Sequence, residues 1–497
     1  MSRLVSTRNK SVQVPAHAAV IQGLAPDGGL YTPILTDEHI NIESILHTSY
    51  QSIAEKVIHT ILDDYSHEDL VECIEGAYDD KFDSEEIVPL RKISDGWLME
   101  LWHGPTSAFK DIALTILPRF MTKAYAMDGR DDIISILTAT SGDTGKAALS
   151  GFADVPHTAI TVFYPVDGVS AIQKRQMCTS RGKNVDVIAL EGNFDDCQRI
   201  VKQAASDPEV KASLNHVTLS SANSINIGRL VPQITYYFSS YAKLVENGDI
   251  KNRDKVNFVV PTGNFGDILA GYLAQRLGLP VSRLICASNT NNVLTDFLKT
   301  GTYDINRPFH TTMSPSMDIL ISSNLERLLF IMSDYDDAFV REMMKQLNEK
   351  GSYTIPEEMH LRINEIFKGY WCDEETCAKT IHDLYHEEET LIDPHTAVAL
   401  SAMRQYRKET GDNTPSVVLS TASPYKFCKD VLHSINGETI ADDFEAMKRL
   451  YDVTGVNVPS GLAELKDLPI RFNRTIQKED AMHVIAQRMK EAGNVNN

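Results

Sequence analysis

At 497 residues, 42% of them hydrophobic and 23% charged, the chain exceeds the size at which one hydrophobic core stops growing, so two or three domains are expected. A formal net charge of -20 argues against nucleic acid or an anionic membrane as partner, and an anionic small substrate would need a local basic pocket. Seven scattered cysteines give neither a disulfide framework nor zinc spacing, so no metal is expected; with no apolar window long enough to span a bilayer and no secretory core in the start MSRLVSTRNKSVQ, the expectation is a cytoplasmic protein.

The first hundred residues carry a Gly- and Pro-dense loop, LAPDGGLYTP, and then helical apolar periodicity in ESILHTSYQSIAEKVIHTILDD, which predicts a separate N-terminal unit over 1–97. An apolar extended segment, WLMELW, follows and turns through Gly104-Pro105 in HGPTSAFKD into the helical stretch IALTILPRFMTKAYA. Lys110 sits at that turn. A lysine among apolar neighbours loses preference for the ammonium form, and the neutral amine is what forms a Schiff base with an aldehyde cofactor. Position alone favours the commoner reading, a solvated surface lysine, over the catalytic one.

From about Ile133 onward short β-rich runs alternate with helical ones: IISILTAT, AITVFYP, VDVIAL, VTLSS, VNFVVPT and RLICAS each precede or follow an amphipathic stretch. Such alternation implies βαβ units, parallel sheet and ligands at the carboxyl ends of strands. TSGDTGKAAL lies between a strand and a helix, where the Ser141 and Thr144 hydroxyls could hold a carboxylate or simply cap the helix. PTGNFGD, residues 261–267, also links strand to helix, and Gly263 and Gly266 would let the main chain approach a phosphate. It has neither the lysine of a nucleotide phosphate loop nor the dinucleotide glycine pattern, so the candidates are a small phosphorylated cofactor or an ordinary turn. Asp267 is expected to offer its N–H and cap the helix. Residues 332–406 read as mostly helical and acidic, a solvated face and not a metal site. A last strand, SVVLSTA, brings Thr421 to a strand end, where its hydroxyl reads, on this segment alone, as a helix cap, and where a hydroxyl facing a pyridine nitrogen would leave that nitrogen largely unprotonated; beyond it only helices are expected.

HGPTSAFKD, TSGDTGKAAL, SSANSINIGRLVPQ, PTGNFGD, PSMDILISSNLERLLF, DPHTAVAL and STASPYKF occur in this order, preceded by IQGLAPDGGLY. In these motifs the chain resembles the threonine synthase family, in its longer branch with an extra N-terminal domain. The resemblance implies an α/β, fold type II (tryptophan synthase β-like) enzyme dependent on pyridoxal 5'-phosphate: an N-terminal domain (1–97), a catalytic region (98–435) of two parallel-rich subdomains, the smaller roughly 125–225, and a C-terminal helical extension (436–497). It implies Lys110 as the Schiff-base lysine, Gly263, Asn264, Phe265, Gly266 and Asp267 around the cofactor phosphate, and Thr421 at the pyridine nitrogen. Asp143 stands where many relatives have an asparagine near the ring hydroxyl, which leaves that partner open.

The implied substrate is O-phospho-L-homoserine, converted with water to L-threonine and phosphate by γ-elimination and β-addition. Its phosphate needs a second anion site, for which Arg229 with Asn226 and Ser224 is nominated, because an arginine fork matches phosphate geometry; Ser141 and Thr144 are the candidates for its carboxylate. Ser316, Asp318, Ser323, Asn324 and Arg327 are further pocket candidates, whereas His103 and His395 read as structural. The alternatives are a phospho-lyase releasing 2-oxobutyrate and a catalytically silent binding relative. A monomer or homodimer is expected.

Overall fold

The computed structural model describes residues 3–494 except Asp37, Ser141, Asp167, Gly168, Ala205 and Ser206. Its larger sheet has six strands in the order Phe367–Trp371, Val281–Ser288, Val256–Pro261, Ser416–Ser420, Gly96–Glu100 and Leu90–Ile93. All pairings are parallel except the last, a hairpin edge. Helices cover the sheet's faces, which is why its central strands read as unbroken apolar runs: all six residues of Val256–Pro261 are buried. The second sheet is wholly parallel, in the order Arg474–Gln477, Val185–Glu191, Thr158–Pro165, Ile133–Ala139 and Val217–Ser220.

Two departures from the sequence expectation concern edge strands. Phe367–Trp371 lies inside the stretch read as helical, and Arg474–Gln477 inside the C-terminal extension. The extension therefore does more than add helices. It completes the smaller sheet beside Val185–Glu191, and its helix Ala481–Asn494 packs apolar side chains such as Val484, Ile485 and Met489 into that subdomain's core. Arg175 and Arg471 fasten the crossing with hydrogen bonds to main-chain carbonyls on opposite sides: Arg175 donates to Leu465 and Leu468, and Arg471 to Ser180.

The N-terminal residues form a three-stranded antiparallel sheet, Asn9–Val14, Leu4–Ser6 and Tyr31–Pro33, and two capped helices, Tyr50–His59 and His67–Ala77. They share one apolar core with the catalytic region. Helix Ile227–Glu246 is the pivot of that core, apolar nearly all round and buried along most of its length. A helix apolar on all faces belongs inside a protein, and this one carries Arg229 in its first turn.

Among the described residues no helix is long and apolar enough to cross a membrane, and no group of three or more His, Cys, Asp or Glu could hold a metal ion. All seven cysteines are free and buried.

Candidate active site

Three neighbouring strands of the larger sheet bring three chemical groups to one edge. Gly96–Glu100, Ser416–Ser420 and Val256–Pro261 lie side by side, and their carboxyl ends lead to Lys110, Thr421 and residues 263–267. Convergence at the carboxyl end of parallel strands is where such folds put their ligands.

Lys110 opens the short helix Lys110–Leu114. Its amine lies 4.6 Å from the centre of the Phe109 ring, and no carboxylate among the described residues pairs with it. Burial pushes its pKa down to about 8; Asp143 pulls it up, Arg229 and Lys426 push it further down, and Asp111 pulls it up. The result is an amine whose neutral form is accessible near neutral pH. Its turn is held from below by Asp111, which accepts from the Thr106 N–H at 2.8 Å and hydroxyl at 2.6 Å.

The loop after Val256–Pro261 presents an array of donors. Phe265, in the left-handed region at φ 62, caps helix Gly266–Arg276. The main-chain N–H groups of residues 263–268 meet no acceptor among the described residues, and those of the first helical turn lie at the positive end of the helix, where an anion is favoured. Gly263 is needed for packing: a Cβ there would lie 2.6 Å from the Ser316 carbonyl oxygen. The loop's carbonyls are tied down, Gly263 O by the Ser322 hydroxyl at 2.6 Å and Asn264 O by the Asn324 N–H at 3.1 Å.

Asp267 does not cap its helix. Its Oδ1 turns inward to accept from Tyr236 at 2.5 Å and Tyr237 at 3.0 Å, while Oδ2 is buried without a partner. Burial pushes its pKa up to about 6, against the two tyrosine hydrogen bonds and Lys110. Thr421 is buried, and its hydroxyl takes no side-chain bond among the described residues, which leaves it free for a ring nitrogen.

Arg229 is buried at 3% exposure. It has no carboxylate partner among the described residues; one nitrogen donates to Ala222 O at 2.9 Å, and Nε is buried without an acceptor. Burial alone lowers its pKa to about 10. An arginine left in this condition is a strong anion site, since desolvation of a lone guanidinium is costly unless a ligand offsets it. Asn226 has a different task from the one expected of it. Its amide is used up within the protein, accepting from Gly228 N and donating to the Val20 and Ser221 carbonyls, so it caps the helix that carries Arg229 and has no free polar atom for a ligand. Ser224 contributes its carbonyl to Asn324 at 3.2 Å.

From the smaller subdomain comes Asp143, first residue of helix Asp143–Phe152 after strand Ile133–Ala139. Ser141 lies outside the described residues, and Thr144 is partly exposed on the helix's first turn. Beside Asp143 the structure brings two groups that sequence reasoning missed: Lys426, from the same STASPYKF motif as Thr421, and Gln173. A buried acid needs a counter-ion, and the one charged residue of STASPYKF was the available signal.

Of the remaining pocket candidates, Arg327, Asn324 and Asp318 have their side chains engaged within the protein. Arg327 is fully buried and donates to the Tyr31 and Ile225 carbonyls. Asn324 joins it to the donor loop, and Asp318 accepts from Thr312, Asn289 and Asn291. The Ser316 N–H donates to His395 Nε2 at 3.2 Å, with Asp393 on the other ring nitrogen at 2.6 Å. Ser323 has no side-chain hydrogen bond among the described residues, and His103 pairs with Asp83 and Glu100.

The donor set suits pyridoxal phosphate: unused N–H groups for a phosphate, a free hydroxyl for a ring nitrogen, and an amine of lowered pKa. Comparison with known proteins points the same way. Residues 3–78 match the family described as threonine synthase N terminus, 85–422 pyridoxal-phosphate dependent enzyme, and 396–487 threonine synthase, C-terminal. The chain is 37% identical over 457 residues to threonine synthase of Pseudomonas aeruginosa, covering 90% of this chain and 94% of that one. It is 38% identical over 434 residues to human threonine synthase-like 1, covering 84% of this chain but 57% of that longer protein. Among solved structures, PLP-bound threonine synthase from Brucella melitensis superposes with a TM-score of 0.88 at 34% identity, covering 99% of this chain and 100% of that one. The yeast enzyme does so at 0.87 and 32%, covering 99% and 98%.

Proposed function

Because this chain belongs to the pyridoxal-phosphate-dependent threonine synthase family, we propose that it converts O-phospho-L-homoserine and water to L-threonine and phosphate. The observation that carries this reading is Arg229, a buried guanidinium without a carboxylate partner among the described residues. It lies close enough to Lys110 to depress the lysine's pKa. One anion site, the N–H array of residues 263–268, suffices for the cofactor. A second, across the lysine, is what a phosphorylated substrate requires.

Pyridoxal phosphate, when bound, supplies an aldehyde for the substrate amine and a conjugated ring that spreads the charge left at Cα. The N–H groups of residues 263–268 would hold its phosphate, the Thr421 hydroxyl would serve its pyridine nitrogen, and Lys110 would be its covalent anchor. Once its amine is free, Lys110 would be the base nearest the reacting carbons. With a pKa of about 8, roughly a tenth of it is neutral at pH 7. It would take the proton from Cα and give it up before taking one from Cβ, return a proton to Cγ after phosphate departs, and restore one to Cα once water has added its hydroxyl at Cβ. Arg229 holds the phosphate through that departure and favours it by stabilising the developing charge. Ser224, whose carbonyl is fixed by Asn324, and Thr144 border the substrate side. Water enters last, at Cβ, and its exclusion before then avoids release of 2-oxobutyrate.

The test is an incubation of purified holoenzyme with O-phospho-L-homoserine and simultaneous assay of threonine, phosphate and 2-oxobutyrate. Equal threonine and phosphate supports the proposal; 2-oxobutyrate equal to phosphate would make the protein a phospho-lyase, and no phosphate release a silent relative. The proposal includes a cytoplasmic setting and a monomer or homodimer, which cell fractionation and light scattering check.

A further inference from the structure

One buried ion pair beside this site has no part in the steps above. Lys426 Nζ lies 2.8 Å from Asp143 Oδ1, with side-chain exposures of 0% and 3%. The same amine donates to the Thr106 carbonyl at 3.0 Å, and Gln173 Nε2 donates to Asp143 Oδ1 at 3.0 Å. Oδ1 is thus doubly engaged, whereas Oδ2 accepts from none of the described residues and is not among the sealed, unpartnered atoms. The pair also spans the subdomain boundary: Asp143 follows a strand of the smaller sheet, and Lys426 the strand of the larger sheet that carries Thr421.

As a fastening this would be a poor choice, because desolvating two charges consumes most of what their attraction returns. As a means of fixing charge at one atom it is effective. We propose that Lys426 is a positioning residue for the reaction, holding Asp143 ionised with Oδ2 free for the cofactor's ring hydroxyl and balancing that negative charge beside the Lys110 nitrogen. This rests on the reading of Lys110 as the cofactor's anchor. Although burial pushes Asp143 up, Lys426 and then Lys110 bring its pKa below the usual carboxylate range. The other charges facing this row are Asp111 on the lysine's own helix, Arg229 from Ile227–Glu246, Asp267 from Gly266–Arg276 and Lys146 one turn beyond Asp143. All are common to the variants below, so differences between variants report on Lys426 and Asp143.

The experiment is a pH titration of the holoenzyme's visible absorption in wild type, Asp143→Asn, Lys426→Arg and the double variant Asp143→Asn/Lys426→Met. Asp143→Asn leaves the Lys426 cation unbalanced beside the Lys110 nitrogen, so the midpoint falls by at least about one pH unit, a tenfold loss of proton affinity. Removing that cation in the double variant restores the midpoint to within about 0.3 of wild type, and Lys426→Arg stays within about the same distance. A double variant no nearer to wild type than Asp143→Asn, or an unmoved midpoint in Asp143→Asn, overturns the proposal; a purely structural pair predicts no such opposed changes. Should Asp143→Asn fail to retain cofactor, the double variant, which carries no lone buried charge, decides by the same margin. Failure of the broader reading looks different, since wild type would then show no visible band.

Discussion

The Phe109 N–H donates to the Thr421 carbonyl oxygen at 2.8 Å, so the residue before Lys110 is bound to the residue whose hydroxyl faces the proposed ring nitrogen. An isolated bridge between Ala108 and Ala422 and a Ser423-to-Ser107 hydrogen bond at 3.1 Å extend the contact. Amine and hydroxyl are therefore spaced by main chain, and side-chain changes at Thr421 leave that spacing intact. Thr421→Val keeps shape and backbone bond and removes only the hydroxyl. Cofactor should still attach to Lys110, with affinity about tenfold weaker, the worth of one hydrogen bond of roughly 1.4 kcal/mol. Equilibrium dialysis against pyridoxal phosphate measures it; unchanged affinity together with unchanged kcat would remove Thr421 from the site.

Lys110 is asked to anchor the cofactor and to move protons. Lys110→Ala should lose the visible absorption band and lower turnover by about 10³-fold or more, within the range for loss of a positioned base. Because the neutral amine is the base, the rate of the remaining enzyme chemistry should rise with pH up to about 8 in wild type. In Lys110→Ala that limb should vanish and added ethylamine should restore part of the rate. A variant that turns over normally, or a wild-type rate flat between pH 6 and 9, contradicts the assignment.

In the proposed reaction Arg229 would hold the substrate's phosphate and leave the cofactor's to residues 263–268. Arg229→Lys keeps a charge but loses the fork, and Arg229→Ala loses both. We expect KM for O-phospho-L-homoserine to rise about 10- to 100-fold in Arg229→Ala, the range for a charge-assisted hydrogen bond or two. The lysine variant should fall between, and the visible band of the holoenzyme should persist in both variants, because the cofactor's attachment does not depend on Arg229. Inorganic phosphate, a competitor for the same site, should inhibit wild type and not Arg229→Ala. Equal phosphate inhibition of both proteins would place the substrate phosphate elsewhere.

The interior of the fold was legible because its parallel strands are buried on both faces and separated by amphipathic helices. Val256–Pro261, Ile133–Ala139 and Ser416–Ser420 all announce themselves as apolar runs. Edges were not. Arg474–Gln477 buries only Ile476, too little for an alternating pattern, and Phe367–Trp371 contains Gly369, whose missing side chain lets the strand approach Thr295. The same division runs through the site. Lys110, the donor loop and Thr421 each sit at a strand end within one contiguous motif, but the link between Asp143 and Lys426 joins two motifs from different subdomains. The role of Asn226 was hidden for a related reason, since nothing in SANSINIGRL distinguishes a residue that touches a ligand from one that caps the helix behind it.

Asp267 gives a stability prediction whose sign is fixed by its burial. Its pKa is raised from an unfolded value near 3.8 to about 6, so the folded apoprotein binds a proton more tightly than the unfolded chain. The stability this contributes is fully present below pH 3.8 and is lost as pH rises through 6. Above that the carboxylate is ionised, with Oδ1 held by Tyr236 and Tyr237 and Oδ2 buried without a partner. Asp267→Asn retains the acceptor at Oδ1 and cannot ionise, so it lacks this pH dependence. Between pH 5 and 7.5 the unfolding free energy of the apo variant should therefore improve on wild type by roughly 1–2 kcal/mol, a tenfold difference in proton affinity being worth about 1.4 kcal/mol. In the holoenzyme the neighbouring phosphate adds a second negative charge, which opposes ionisation of Asp267 further, so the variant should bind pyridoxal phosphate at least as tightly as wild type. Urea unfolding of both apoproteins at the two pH values measures the first effect. If the difference between the proteins is the same at pH 5 and at 7.5, Asp267 does not titrate in that window and its buried oxygen has a partner in solution.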